Sequence, residues 1–423
     1  MESAGLAACG NNRDSTRSRQ RRQHGPEVMA GIPSSTAVTL MAAAFWVSCA
    51  LVVYVYAGYP LLLELLVRMR GRPIAIGAST PSVSMIVSAY NEARVIGQKI
   101  ENALAMDYPA ELFELIVVSD CSDDRTDEIV RSFEARGVRL LRMSERAGKS
   151  AGLNAAVPMC RGDIIVFSDA NALYDKAALR MIVRNFSDPA VGAVTGETRY
   201  AAAGRDSATR NESLYWRYEQ WIKRLESRAG SLVGGDGALY AIRRTLYNPL
   251  RPDDLSDFVN PLQIVGAGHR NVYESAAFSI EDGAGSFARE YRRKVRIVNR
   301  AWRAMMRNAR VLNPFRFGLF AWECLSHKVL RWLMPVWLAL ALLLNIALIG
   351  QGPLYAVTLA AQAAFYLLAI AGAWLARRGR SGGLALVPYY FCMVNFASAH
   401  GIFDYLRGET YTTWSTPRAA GGA

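Results

Sequence analysis

The sequence predicts an α/β domain with a mostly parallel sheet, flanked by transmembrane helices at both ends. Three features of its 423 residues carry this reading. Short β-branched apolar runs alternate with segments of helical spacing through the middle of the chain. Uncharged stretches long enough to cross a bilayer lie toward both ends and lift the hydrophobic fraction to 52%. Acidic residues stand where the strands end, the place where open α/β sheets take their ligands.

Residues 1–35 are rich in Arg, Ser, Asn and Gly, lack the apolar core of a signal peptide, and read as a disordered tail. The segment 36–70 opens with TAVTLMAAAFWVSCALVVYVY, an uncharged span. Gly58, Tyr59 and Pro60 are expected to interrupt it, so that the part carrying Glu64, Arg68 and Arg70 lies near the interface. Residues 71–312 read as the α/β domain, 313–332 as an amphipathic interfacial helix, and 333–407 as about three more spans. The last apolar stretch, 384–406, contains Asn395, His400 and Asp404, which leaves a buried or re-entrant helix open. Residues 408–423 form a tail.

Within the domain, VSMIVSAY (83–90), LFELIVVSD (112–120), VRLLRM (138–143) and DIIVFSD (163–169) are strand-like. Between them, Val95, Ile96, Ile100 and Leu104 fall at helical spacing, and a second helix ends at Gly137. Asn91, Asp120 and Asp169 all stand at or just past strand ends. The net charge of +13 comes from the N-terminal tail, the flanks of apolar runs and a cluster at 289–310. That distribution suits a membrane protein obeying the positive-inside rule and argues against nucleic acid as a partner. The six cysteines are scattered without metal-site or disulfide spacing.

Asp120 can accept hydrogen bonds in the crevice, while Asp123 or Asp124 suits a helix N-cap. Asp169 and Asn171, two residues apart after an apolar strand, offer oxygen ligands to a hard divalent cation. Gly148-Lys149-Ser150 ends like a P-loop, but Met143 stands where its first glycine belongs, so Lys149 is left as a point charge for a phosphate. Tyr215, Trp216, Tyr218 and Trp221 fall at helical spacing and read as packing; His269 and His327 are not assigned to a metal.

VSMIVSAYNEA, IVVSDCSDDRTDEI, GKSAGLNAA, GDIIVFSDAN, GGDGALYAIRR and SDFVNPLQIVGAGHRNVYE occur in order. Together they resemble the processive-type family 2 glycosyltransferases, such as cellulose, hyaluronan and chitin synthases, over roughly residues 80–330. The resemblance implies a GT-A fold, a UDP-sugar donor, Mg²⁺ or Mn²⁺, inversion at the anomeric carbon, and a growing polysaccharide as acceptor. By position, Tyr90, Glu92 and Asp120 would line the nucleotide pocket with Lys149 nearby, and Asp169 would hold the metal with Asn171 as a weaker neutral ligand. Gly235, Asp236 and Gly237 would form the loop beside donor and acceptor, and Asp257 would be the base. Asp253 and Asp254 are its nearest competitors, and an N-cap is the plain alternative for Asp257.

The family's Gln-x-x-Arg-Trp is Arg293-Lys294-Val295-Arg296-Ile297 here, so Arg296 is kept and the acceptor-stacking Trp is lost, with Trp302 the candidate substitute. That change keeps single transfer to a lipid acceptor, or a silent membrane subunit, as alternatives. The resemblance also implies membrane lipids and exopolysaccharide assembly or export proteins as partners. It implies a multi-pass protein of the cell membrane with its catalytic domain in the cytoplasm. Arg377, Arg378 and Arg380 then fall inside, but the five arginines of the tail fall outside; a start at Met29 removes that conflict.

Overall fold

The computed structural model describes residues 35–200, 207–281, 286–378 and 383–413. Most of the N-terminal tail, Arg380 and residues 414–423 lie outside the described residues.

Eight strands form one sheet: β1 (Val83–Ala89), β2 (Phe113–Ser119), β3 (Val138–Arg142), β4 (Ile164–Asp169), β5 (Leu173–Tyr174), β6 (Val191–Tyr200), β7 (Leu239–Arg243) and β8 (Arg270–Glu281). Their order is β3-β2-β1-β4-β7-β6-β8-β5. β3, β2, β1 and β4 run parallel, β7 reverses against β4, and β6 carries two irregularities where it pairs with β8. The chain order changes direction between β1 and β4, and the carboxyl ends of the strands there are where open α/β sheets form their ligand crevice.

β1 is buried along its whole length because both faces are covered. Alternation along the strands divides the core. Met85, Val87 and Val166 face α2 (Ile96–Leu104) and α5 (Ala178–Val183). Ile86, Ile165 and Phe167 face α4 (Lys149–Ala156), α7 (Ser256–Gly266) and α8 (Phe287–Arg307). The domain also contains α3 (Thr126–Arg131) and α6 (Ser207–Ala229). Each fully buried Ile or Phe contributes about 1.5–3 kcal/mol relative to exposure.

Among the described residues, three helices are long and apolar enough to cross a membrane: α1 (Ser35–Arg70), α10 (Met334–Gln351) and α11 (Pro353–Arg377). The sequence suggests a break at Gly58–Pro60, yet α1 continues through it. Tyr54–Gly58 forms a π turn, and Pro60 falls where its missing N–H is tolerated at the start of the next helical stretch. Beyond it, Tyr59, Leu63 and Val67 bury against Ile222, Leu225 and Ala229 of α6.

Residues 319–332 form α9, with a π turn at Cys324–Val329. Phe315, just before it, is 99% exposed, whereas Glu323, Cys324 and His327 are buried against the domain. α12 (Leu386–Leu406) buries Asn395, Ser398 and Asp404, and Gly401 lets it approach α8 closely enough for Asn299 to donate to the Gly401 carbonyl at 3.2 Å.

Gly162 enters β4 where a Cβ would run into the Ser84 nitrogen and come within 2.6 Å of the Val83 carbonyl carbon. Backbone cannot yield as a side-chain tip does. Gly162→Ala is expected to cost about 1–3 kcal/mol, read as a lowered unfolding temperature in detergent; an unchanged temperature would contradict this packing.

Candidate active site

The crevice is floored by residues that leave β1, β2 and β4. Asn91 and Cys121, at φ 52° and 58°, are the two non-glycine residues with left-handed backbone among those described, and both lie just past strand ends. Such conformations persist where surrounding bonds hold them. The Asn91 carboxamide accepts from the Asp123 amide at 3.0 Å, and the Asn91 amide donates to the Ser122 hydroxyl at 3.1 Å. Neither Asp123 nor Asp124 is the N-cap of the helix at Thr126–Arg131, which is Arg125; Asp124 instead ties the turn together, accepting from the Thr126 amide at 2.9 Å and the Ala93 amide at 3.0 Å. Glu92 is buried beside this turn, and the Arg146 guanidinium stands 3.8 Å over the Tyr90 ring.

Asp120 is 2% exposed, and its carboxylate accepts from the backbone N–H groups of Ala147 at 2.8 Å and Gly148 at 3.0 Å. Those bonds hold the loop that enters α4, where Gly148 takes φ +87°. Lys149 then opens α4 and aims across the crevice. Its ammonium lies 2.5 Å from Asp169 Oδ1 and 3.3 Å from the Gly237 carbonyl.

The loop before β7 brings in Gly235, Asp236 and Gly237. Asp236 is buried; one oxygen accepts from Thr198 at 2.9 Å, and the other lies 3.6 Å from the Lys223 ammonium. A Cβ on Gly235 would stand 2.7 Å from the Asp257 carbonyl oxygen. A Cβ on Gly237 would stand 3.3 Å from Asp257 Oδ2 and 3.9 Å from Asp169 Oδ2. Gly237 thus leaves open the space between two carboxylates from different elements.

Asp257 belongs to the first turn of α7, where the helix dipole favours a carboxylate, and the N-cap is Leu255. Burial raises its pKa; Lys149 opposes the shift, and Asp236 and Asp169 add to it. Its neighbours are committed elsewhere. Asp253 pairs with Arg307 at 2.5 Å, and Asp254 with the same guanidinium at 3.1 Å. Arg300 secures the backbone carbonyls of both.

α8 supplies the remaining cations. Arg293 pairs with Glu290 at 2.9 Å. Burial lowers the pKa of Arg296, as does Arg293, whereas Asp169 opposes that shift. Trp302 turns instead toward Trp332, with ring centroids 6.1 Å apart, in the apolar cluster beneath α7. Asn171 is half-buried in the turn after β4. Among the described residues no three His, Cys, Asp or Glu side chains form a metal-holding group.

Two contributions had no motif to reveal them. Glu281 ends β8; burial pushes its pKa up to about 8, Asp169 and Asp236 push the same way, and Arg293 and Lys149 resist. In the C-terminal tail, Arg303 donates to the Glu409 carbonyl at 2.7 Å, and Thr412 packs on Gly148 so closely that a Cβ there would meet its carbonyl. A 360 Å³ cavity lined by Pro81, Asp163, Arg243 and Arg244 lies at the opposite end of the sheet. Those two arginines are spent on backbone carbonyls.

Residues 84–250 match the model of glycosyl transferase family 2. Over that stretch the chain is similar to the family 2 glycosyltransferases. The described fold aligns with a mannosyltransferase of Pyrobaculum calidifontis solved with GDP-Man and Mn²⁺, at a TM-score of 0.67 and 23% identity, over 86% of this chain and 99% of that one. The fold is therefore GT-A. The chain is 30% identical to the beta-monoglucosyldiacylglycerol synthase of Nostoc sp. over 161 residues, 37% of this chain and 34% of that protein. It is 31% identical to the poly-beta-1,6-N-acetyl-D-glucosamine synthase of Staphylococcus aureus over 119 residues, 28% of each. These matches span about a third of the relatives' length.

Asp120→Ala leaves the amides of Ala147 and Gly148 without their acceptor, at about 1–3 kcal/mol. Hydrogen exchange at those two amides is expected to rise about tenfold or more; unchanged protection would show that another group holds the loop.

Proposed function

We propose that this protein is an inverting glycosyltransferase that moves a sugar from a UDP-sugar to a growing glycan at the cell membrane, with Asp257 as its base. The observation that carries the reading is the geometry around Gly237. One carboxylate held above the ordinary range, and without an ion pair among the described residues, faces a second carboxylate across a gap kept open by glycine.

In this reading Asp257 takes the proton from the acceptor hydroxyl as that oxygen attacks the anomeric carbon. The bond from that carbon to the diphosphate breaks on the opposite face, and the leaving group departs as the nucleoside diphosphate. Lys149 and Arg296 oppose the negative charge that develops there. Tyr90, Glu92 and Asp120 form the nucleotide side of the crevice, Asp120 by holding the loop that presents Lys149.

The donor chemistry suits a hard divalent cation. Asp169 is 40% exposed, already attracts the Lys149 ammonium, and is followed two residues on by the amide of Asn171. Mg²⁺ or Mn²⁺ there would neutralise the diphosphate, taking its other ligands from phosphate oxygens and water. The spans α1, α10 and α11 support a multi-pass arrangement, with the domain on the cytoplasmic side where nucleotide sugars are made. Single transfer to a lipid acceptor is the second reading; it is favoured by the commitment of Trp302 to Trp332 rather than to the crevice.

Purified protein incubated with a panel of UDP-sugars and Mg²⁺ or Mn²⁺ tests both readings. Long polymer supports the first, and one sugar on lipid supports the second. Asp257→Asn is expected to lower kcat by about 10²–10⁴-fold. Asp253→Asn should instead cost stability, because Arg307 loses its partner. If Asp257→Asn turns over like wild type, the assignment of the base is wrong.

The raised pKa of Asp257 also sets a direction for pH. Activity needs the ionised base, so kcat/KM is expected to fall with falling pH, with a midpoint above the usual ~4 of a carboxylate. A midpoint at or below 4 would contradict the burial of this group.

A further inference from the structure

Lys99 stands on the apolar face of α2, between Ile96, Ile100 and Ala103, and is 0% exposed. A buried ammonium is costly unless its surroundings use it. Its hydrogen bond goes to the carbonyl of Ala172 at 2.6 Å, and it lies 3.5 Å over the Tyr174 ring. One helical turn on, Asn102 donates to the Tyr174 carbonyl at 2.8 Å and accepts from the Tyr174 amide at 2.7 Å. The Tyr174 hydroxyl donates to the carbonyl of Ala238 at 2.7 Å, next to Gly237. Three bonds from α2 therefore clamp the backbone of the segment that begins with Asp169 and Asn171, and Tyr174 passes the constraint to the Gly237 loop.

We propose that Lys99 and Asn102 are positioning residues that hold the 169–174 turn in the conformation that binds the donor diphosphate and its metal. This inference rests on the donor site proposed above. The charged groups around Lys99 are Asp169 on β4 and Glu281 on β8, with the Tyr174 ring on β5. Burial pushes the Lys99 pKa down to about 7, and the two carboxylates resist that shift. Its folded value lies below the unfolded 10.5, so folding releases protons between those values and stability rises with pH across that window. Below about pH 7 the charge is fully buried and its cost is greatest. Fold stability alone thus gives no reason to place a lysine here, whereas a clamp on a diphosphate-binding turn does.

The test uses full-length protein in detergent or nanodiscs. Binding of UDP with and without Mn²⁺ is measured by calorimetry, Mn²⁺ binding by electron paramagnetic resonance, and unfolding temperature beside both. Lys99→Met keeps the length of the side chain and removes the charge. It is expected to unfold within a few degrees of wild type, yet to bind UDP in the presence of Mn²⁺ about tenfold more weakly. Asn102→Ala leaves the charge in place and is expected to weaken the same binding in the same direction. Wild-type affinity in both variants, when wild type itself binds UDP, overturns this inference and spares the donor site. A wild type that binds no nucleoside diphosphate or nucleotide sugar overturns both.

Discussion

Asp169, Asp236, Asp257 and Glu281 meet at one end of the sheet, and like charges so placed repel unless cations and burial are arranged around them. Each carboxylate comes from a different element, and so do the cations Lys149, Lys223 and Arg296 that face them. The arrangement works only because β4 and the loop before β7 lie side by side, with glycine at the closest point. Lys149 stands nearest the balance point, touching Asp169 and the Gly237 carbonyl while opposing the burial-driven rise in the pKa of Asp257.

The long apolar helix α1 is joined to this site through a second buried polar network. Glu226 of α6 accepts from Tyr59 of α1 at 2.7 Å and contacts His327 of α9 at 2.6 Å. Glu219 reaches the other nitrogen of His327 at 3.2 Å and pairs with Arg331 at 2.6 Å. The second oxygen of Glu226 accepts from the Val233 amide at 3.1 Å, three residues before Asp236. Helices at both ends of the chain are thereby tied to the loop that lines the crevice.

Much of this was legible in the sequence because it depends on local pattern. Alternating apolar runs marked β1 to β4, and the acidic strand ends marked Asp120 and Asp169. In the sequence only motif position separates Asp257 from Asp253 and Asp254; in the structure Arg307 occupies the other two. What stayed hidden depends on distant contacts. Lys99 reads as an ordinary charge until its helix is packed, and Glu281 gains its raised pKa only from neighbours far along the chain. Trp302 lies near enough in sequence to stand in for the missing Trp, but its ring is drawn into packing with Trp332. The continuity of α1 was likewise hidden, because a π turn absorbs what Pro60 and Gly58 would otherwise break.

The central claim is that Asp257 drives a single displacement at the anomeric carbon. Its most direct measurement is the configuration of the first linkage formed, read by proton NMR on product made from an α-configured UDP-sugar. The account predicts a β linkage from wild type and none from Asp257→Asn. An α linkage, or a β linkage formed equally well without the Asp257 carboxylate, would contradict it.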